Sequence, residues 1–304
     1  MSVLIVGSVA LDDLETPYGV RKRALGGSAT YASIASSYFT NDNRFVGIVG
    51  GDFPDEHIEL LKGRKIDLTG LEIVKDGNTF SWGGKYHDDM NERDTLFTEL
   101  GVFETFEPKI PEEWRKSDYL LLGNIHPGLQ LAVLDQVEDP DLVICDTMNL
   151  WINISRDELI KTIGRVDILI LNDQEAKMLT EDINAIKAGK KILEMGPSHV
   201  VVKKGEHGAV LMSKDQMFVA PAIPLDELKD PTGAGDVFAG GFAGYLVQTR
   251  DHSFENLKRA VLYGTTLASY CVQEFSVEGL GTLTKEQIDT RAHSLIELAA
   301  CSLP

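Results

Sequence analysis

The stretch 230-DPTGAGDVFAGGFAGYL-246 begins an apolar helical segment with Gly-Ala-Gly-Asp. The N-terminus of a helix carries unpaired N–H groups and a partial positive charge, so it can bind an anion. Glycine in the first turn lets the anion approach the backbone with no Cβ in the way. The pattern therefore predicts a helix that starts near residue 233, with an anion site at its N-terminus that needs no lysine.

Asp236 stands in the first turn of this predicted helix. Its carboxylate could simply complement the helix dipole. In an anion site, however, a further negative charge is unfavourable unless it has a chemical role, and a general base beside a phosphoryl group is such a role. Two other nucleotide motifs are excluded: GxGxxG fails because Phe238 replaces its third glycine, and GxxxxGK[ST] fails because Gly84 and Lys85 are followed by Tyr86.

The chain has 304 residues, with 29 Lys and Arg against 47 Asp and Glu, and a formal net charge of −18. A surface with this excess of negative charge repels nucleic acids and anionic membranes, and we expect neither as a partner. Residues 1–9 are typical of a strand and not of a signal peptide, and no apolar run is long enough for a membrane span. The three cysteines, Cys145, Cys271 and Cys301, lack CxxC spacing, which favours a cytoplasmic location and no structural zinc.

Short apolar, β-branched runs alternate with helical patterns along the chain. The predicted strands are 3–9, 45–50, 119–125, 142–147, 167–173 and 199–205. The helical patterns between them are 29–39, 56–66, 128–137, 157–166 and 183–196. A hairpin follows at 208–223, and further helices start near 233, 254 and 285. The alternation predicts an α/β fold in one domain over residues 1–304, with a doubly wound, mostly parallel sheet and helices on both faces.

Residues 71–102 do not fit this scheme, because they alternate with period 2 between turn residues. Such a pattern is typical of antiparallel strands with one exposed face. Residues 12–25 could add strands to the same sheet. We interpret the two segments as a small antiparallel β sheet that covers one edge of the core; the alternative is a solvated meander with no functional role.

Five motifs, in order from residue 7 to beyond residue 240, resemble those of the pfkB (ribokinase-like) family of carbohydrate kinases. DPTGAGDVFAGGF resembles the C-terminal signature, and 26-GGSATYAS-33 resembles the N-terminal one. GSVALD is similar to the first strand of the family. LNDQEAKML, at 171–179, resembles its N-x-x-E motif, and VVKKGEHGAVL, at 201–211, resembles the strand-turn-strand before its nucleotide site.

The resemblance implies roles for the residues of the C-terminal half. Asp236 would be the catalytic base, and the N–H groups of Gly233, Ala234 and Gly235 would hold the transferred phosphoryl group. The residues implied at the nucleotide are Asn172, Glu175, Lys204, Gly205, Gly208 and Thr232. Asn172 and Glu175 would organise Mg²⁺ through water; the alternative is that they cap the helix after their strand. Asp230 and Thr232 would form a candidate potassium site, although Pro231 departs from the commoner threonine.

On the substrate side, the resemblance implies that Asp12 binds sugar hydroxyls and that Gly26 and Gly27 allow the sugar to approach. Tyr31 stands where the family usually has asparagine, which argues against ribose as the substrate. The small sheet would be a lid over the substrate, where Trp82 could stack on a sugar or a nucleobase or could belong to the core of the lid. His126 follows a strand end, where ligands bind in open α/β sheets, but it could instead satisfy loop backbone groups.

The function implied is an ATP-dependent, Mg²⁺-dependent phosphotransferase that acts on a hydroxyl of a small sugar or sugar-like polyol. A nucleoside kinase of the same fold is the alternative within enzymes. A non-catalytic sugar or nucleotide sensor is the alternative outside them, although such a protein would be expected to lose Asp236 or the glycines. We also expect that the lid edges can pair two copies into a homodimer.

Overall fold

The computed structural model describes residues 1–300 of the chain. The strands, in chain order, are β1 (Val3–Val6), β2 (Ala10–Thr16), β3 (Gly19–Gly26), β4 (Asn43–Gly50), β5 (Ile66–Val74), β6 (Ser81–Tyr86), β7 (Arg93–Glu99), β8 (Tyr119–Leu122), β9 (Leu142–Asp146), β10 (Ile168–Asn172), β11 (His199–Lys203), β12 (Ala209–Met212) and β13 (Met217–Ala220). The α-helices are α1 (Ser28–Ser36), α2 (Asp55–Gly63), α3 (Pro127–Leu134), α4 (Asn149–Ile154), α5 (Arg156–Ile163), α6 (Asp173–Thr180), α7 (Ala185–Leu193), α8 (Ala234–Thr249), α9 (Phe254–Cys271) and α10 (Lys285–Ala299). The predicted doubly wound α/β fold is confirmed.

The main sheet has nine strands in the order β13-β12-β11-β10-β9-β8-β1-β4-β5. Every pair from β11 to β5 is parallel, whereas β12 and β13 form the antiparallel hairpin that the sequence predicted. The strand order reverses at β1, since β4 lies on one side of it and β8 on the other. In open α/β sheets, ligands bind at such a switch point, outside the carboxyl ends of the strands.

Both faces of the main sheet are buried, as the continuous apolar runs predicted. Along β1, Val3 and Ile5 pack on one face, and Leu4 and Val6 pack on the other. The first face is covered mainly by α1, α8, α9 and α10, and the second by α3, α5, α6 and α7. Within residues 1–300, no helix combines the length and the apolar character that a bilayer crossing requires.

A second sheet of four strands, which we call the small sheet, has the order β3-β2-β6-β7. The pairs β2–β3 and β6–β7 are antiparallel, but β2 and β6 run parallel. The expected range 71–102 begins too early, because residues 71–74 end β5 and pair with β4 in the main sheet. Alternation with period 2 shows that a segment is a strand, but it does not show which sheet the strand joins.

The chain enters the small sheet after β1 and returns just before α1, and these two crossings are hydrogen-bonded to each other. The backbone N–H of Ser8 donates to Ser28 Oγ (3.1 Å), and the N–H of Ser28 donates to Ser8 Oγ (3.0 Å). Gly27, at φ +95°, packs so closely that a Cβ there would lie 2.4 Å from the carbonyl oxygen of Ser8. The crossings therefore fix β2 and β3 to the core.

Candidate active site

The loop before α8 has the geometry of an anion site. Gly233 caps the helix in the left-handed region, with φ +76°, and a Cβ there would lie 2.4 Å from the ring of Tyr31. The N–H of Ala234 donates to the carbonyl of Pro231 (3.2 Å). Within the described chain, the N–H groups of Gly233 and Gly235 have no acceptor, so two of the three predicted donors are free to bind an anion.

Asp236 lies in the first turn of α8 and is partly exposed. Burial, with the nearby Asp146 carboxylate, raises the pKa of Asp236 to about 7, while the Lys203 ammonium opposes the shift. A carboxyl group whose pKa is near the working pH is well suited to accept a proton from a hydroxyl. The environment of Asp236 is therefore compatible with the predicted role of general base.

Three neighbouring parallel strands place polar residues at this edge of the sheet. Asp146 ends β9, Asn172 ends β10 and Lys203 ends β11. Lys203 Nζ lies 3.2 Å from both carboxylate oxygens of Asp146. Burial raises the pKa of Asp146, and the Lys203 ammonium opposes that shift.

Asn172 and Glu175 form a reciprocal cap at the start of α6. The Glu175 N–H donates to Asn172 Oδ1 (2.8 Å), and the Asn172 N–H donates to Glu175 Oε2 (2.7 Å). The structure therefore confirms that Asn172 and Glu175 cap the start of α6. The bond leaves Glu175 Oε1 uncommitted, and burial raises the Glu175 pKa to about 7. No group of three or more His, Cys, Asp or Glu within residues 1–300 is arranged to bind a metal ion.

The loop after β11 contains the predicted glycines Gly205 and Gly208, both with positive φ (+55° and +85°). Its backbone is closed by a bond from the Lys204 N–H to the carbonyl of Gly208 (2.8 Å). The turn between β6 and β7 reaches this loop, since Asn91 Nδ2 donates to Glu206 Oε2 (3.1 Å). The small sheet thus reaches the predicted nucleotide loop.

Asp230 is fully buried beside the anion loop. Its two carboxylate oxygens accept from the N–H groups of Thr232 and Ser276, both at 2.9 Å. Thr232 Oγ1 donates to the hydroxyl of Tyr86 in the small sheet (3.0 Å). Burial raises the pKa of Asp230, and these backbone bonds oppose the shift.

Asp12 is the buried carboxylate of the small sheet. A Cβ on Gly26 would lie 2.0 Å from Asp12 Oδ2, so a larger residue at Gly26 would displace this carboxylate. Burial, together with the carboxylates of Asp230 and Asp236, raises the Asp12 pKa well above its ordinary value. Asp13 points to the other face, as the alternation predicted, and pairs with Lys22 (2.9 Å).

Trp82 lies on the same face of the small sheet as Asp12, directly opposite it in the β2–β6 register. The indole covers Gly84, where a Cβ would lie 2.0 Å from the ring. Its Nε1 donates to Thr95 Oγ1 (3.4 Å), and the Arg93 guanidinium lies 5.5 Å from the ring centroid. Trp82 as a whole remains partly exposed.

The site therefore brings together an anion loop, the carboxyl group of Asp236 and the buried carboxylate of Asp12, and comparison with known proteins identifies the family of the chain. The model of the pfkB family of carbohydrate kinases matches residues 11–280. The chain belongs to this family. It is a phosphotransferase, as the sequence predicted, of the class of ATP-dependent sugar or nucleoside kinases.

Individual relatives of this pfkB-family chain include both nucleoside and ribose kinases. The cytidine kinase of Thermococcus kodakarensis is 31% identical over 251 residues, covering 81% of this chain and 88% of the relative. The nucleoside kinase of Burkholderia thailandensis, solved with inosine, has a TM-score of 0.81 at 18% identity and covers 97% of this chain and 98% of that one. An E. coli protein described as a ribokinase II, solved with ATP and Mg²⁺, has a TM-score of 0.79 at 19% identity, with coverages of 96% and 99%.

Two predicted substrate residues of this pfkB-family chain have other neighbours than expected. Tyr31 is 1% exposed and lies beneath Gly233, and its hydroxyl has no hydrogen-bond partner within residues 1–300. It forms a wall of the anion loop and does not line an open pocket. His126 caps α3, where Nδ1 accepts from the Gly128 N–H (3.0 Å) and Nε2 pairs with Ser155 Oγ (2.9 Å). Nδ1 thus bonds a backbone N–H, as the alternative interpretation held, whereas Nε2 bonds a serine side chain.

The expectation that the anion loop needs no lysine stays a prediction, although the structure places one lysine beside the loop. Lys203 reaches the loop, whereas Lys204, the lysine predicted at the nucleotide, has no side-chain partner within residues 1–300. One feature of the sequence could have indicated Lys203 as a site residue. It directly follows the buried run Val200–Val202, just as the polar Asn172 follows a buried run in β10. In two adjacent lysines, however, alternation alone does not say which side chain faces the site.

Proposed function

We propose that the chain transfers the terminal phosphoryl group of ATP to a ribose hydroxyl of a nucleoside. The observation that carries the proposal is the pairing of Asp12 and Trp82 on one face of the small sheet. A carboxylate can bind the ribose hydroxyls while the neighbouring indole stacks on the base. The likeness to the cytidine kinase favours a nucleoside over a free sugar as the acceptor.

The small sheet acts as a lid in this proposal, over an acceptor bound between Asp12 and the anion loop. Asp236 accepts the proton of the acceptor hydroxyl. The hydroxyl oxygen bonds to the terminal phosphorus as the bond from phosphorus to the bridging oxygen breaks, and ADP leaves with that electron pair. The free N–H groups of Gly233 and Gly235 stabilise the charge on the transferred group. Gly205 and Gly208 let the nucleotide approach the backbone.

The donor set fits a hydrated magnesium ion better than a directly bound one. Glu175 Oε1 is uncommitted, and Asn172 holds the other carboxylate oxygen in place. Mg²⁺ usually keeps several waters and is bound through one or two carboxylates and substrate phosphates. When bound with ATP, the ion neutralises phosphate charge. Glu175 would orient its waters.

We further propose a potassium site, a homodimer and a cytoplasmic location. Asp230 keeps free lone pairs on oxygens that each accept one N–H, so a potassium ion could bind there together with Thr232. The outer edges of the small sheet, β3 and β7, could pair two copies into a dimer. A cytoplasmic location agrees with the reducing conditions that the cysteines favour.

An acceptor panel tests the proposed function. Purified protein is incubated with ATP and Mg²⁺ and with ribonucleosides, deoxyribonucleosides, ribose, fructose or inositol, and the phosphorylated product is identified by mass and by ³¹P NMR. We expect at least one nucleoside to have a kcat/KM more than about tenfold above that of free ribose, since base stacking contributes about 1–3 kcal/mol. Equal or greater kcat/KM for a free sugar would reject the nucleoside proposal.

A further inference from the structure

Lys203 is a mostly buried lysine between β9 and the anion loop, with a side chain that is 17% exposed. Its Nζ lies 2.9 Å from the point that a Cβ on Gly235 would occupy, so the ammonium is next to the first turn of α8. A lysine ammonium has three N–H donors. Asp146 can accept two of them, and the third has no acceptor within residues 1–300.

The charges around Lys203 keep it protonated. Burial disfavours the ammonium, but the carboxylates of Asp146, Glu175 and Asp236 outweigh burial and raise the Lys203 pKa. These three carboxylates would repel an incoming phosphate, and Lys203 is the cation in direct contact with the loop that offsets them. An anion at Gly235 therefore meets a fixed positive charge as well as the free N–H groups.

A purely structural ion pair explains this arrangement less well. Replacing a buried ion pair by apolar residues is often neutral for stability, because desolvation offsets the attraction between the charges. Lys203 ends its strand at the carboxyl edge of the sheet, where ligands bind, and not inside either apolar cluster.

We propose that Lys203 binds the transferred phosphoryl group through its free N–H donor, while Asp146 holds the ammonium against Gly235. The role presupposes a nucleoside triphosphate as donor and so rests on the proposed function. Lys203 would then supply the side-chain cation of the anion site. Asp146 would be a positioning residue, since it acts through the lysine.

Nucleotide binding without an acceptor tests the role of Lys203 independently of turnover. Lys203→Met alone leaves the buried Asp146 unpaired, so the informative protein is Asp146→Asn/Lys203→Met, which removes both charges. Isothermal titration with ATP and with AMP, in the presence of Mg²⁺, is compared among wild type, Asp146→Asn and the double variant. Asp182→Asn/Lys191→Met serves as the control, because that pair has the same 3.2 Å distance but joins the α6–α7 connection to α7, away from the anion loop.

If Lys203 donates a charge-assisted hydrogen bond to the phosphoryl group, the double variant should bind ATP at least about tenfold more weakly than wild type. AMP affinity should change less than about threefold, and Asp146→Asn should retain more ATP affinity than the double variant. Wild-type ATP affinity in a folded double variant would overturn the role of Lys203 and leave the kinase assignment intact. If the wild-type protein bound no ATP, both proposals would fall; if it bound ATP but phosphorylated no nucleoside, a weakened double variant would still support Lys203.

Discussion

Asp12 and Trp82 stand directly opposite each other on the parallel strands β2 and β6, so a buried carboxylate and a partly exposed indole share one face of the small sheet. If this pair binds a nucleoside, Trp82→Ala should raise the KM for the nucleoside by about 5- to 100-fold, which corresponds to a stacking contribution of about 1–3 kcal/mol. Activity on free ribose, measured in the same coupled ADP assay, should change little. Val20→Ala, at an exposed position of β3, is the control. An equal loss for both acceptors would assign Trp82 to the core of the lid.

Replacing Asp236 removes the proposed base without changing the size of the side chain. Asp236→Asn should lower kcat by about 10²–10⁴-fold, the usual contribution of general-base catalysis. ATP affinity, measured by isothermal titration, should stay the same or increase, because a negative charge near the phosphate site is lost. Asp13→Asn, on the opposite face of β2, should keep wild-type kcat. Turnover near the wild-type rate in Asp236→Asn would exclude the proposed base.

The raised pKa of Asp236 predicts how activity depends on pH. A base works only when it is deprotonated, so kcat/KM should fall about tenfold for each pH unit below the pKa of about 7 and level off above it. Glu175 also has a pKa of about 7, so the profile is measured in Glu175→Gln as well. The acid limb should persist in that variant. A profile that stays flat from about pH 5.5 to 8 would contradict the assignment.

Glu175→Gln separates the capping role of this side chain from its role toward Mg²⁺. Glutamine can accept the same bond from the Asn172 N–H, so the melting temperature should be close to that of wild type. The lost negative charge should raise the Mg²⁺ concentration needed for half-maximal activity by about tenfold, equal to about 1.4 kcal/mol. A Mg²⁺ titration at fixed ATP measures this shift. An unchanged Mg²⁺ requirement would leave Glu175 with the capping role alone.

Gly233 is required by both backbone conformation and space. Gly233→Ala would put a Cβ at φ +76° and 2.4 Å from the Tyr31 ring. We expect a loss of about 1–3 kcal/mol in the free energy of unfolding, measured in urea, together with weaker ATP binding. Gly63→Ala is the matched control, since a Cβ there has no atom within 4 Å, and its change should stay within about 0.5 kcal/mol. Equal effects of the two substitutions would contradict the close packing of Tyr31 against the loop.

The sequence predicted the main sheet well because its strands are buried on both faces and read as continuous apolar runs. It predicted the small sheet less well, since the strand that ends at residue 74 has the same alternation as β6 and β7 but pairs with β4. The partner of a strand depends on contacts between distant segments. Local periodicity does not contain that information.

Some of the site residues could likewise be predicted from the sequence, and others could not. Asp236, Gly233, Asn172 and Glu175 belong to contiguous motifs, and their neighbours in sequence are also their neighbours in space. The burial of Tyr31 could not be predicted, because all nine residues of α1 are buried and the helix has no polar face to indicate its orientation. The contact between Lys203 and Asp146 could not be predicted from local sequence, because β10 lies between their strands. Predicting it requires the order of all three strands.

The paired bonds between Ser8 and Ser28 have a mechanical consequence for the small sheet. They fasten the two chain crossings at one corner, so we expect a displacement of the sheet to turn about that corner. Asp12, four residues from Ser8, then moves through a short arc, whereas Asn91, at the distant turn that contacts Glu206, moves through a long one. Such a rotation would keep the end of the small sheet that carries Asp12 almost fixed and would open the end that carries Asn91.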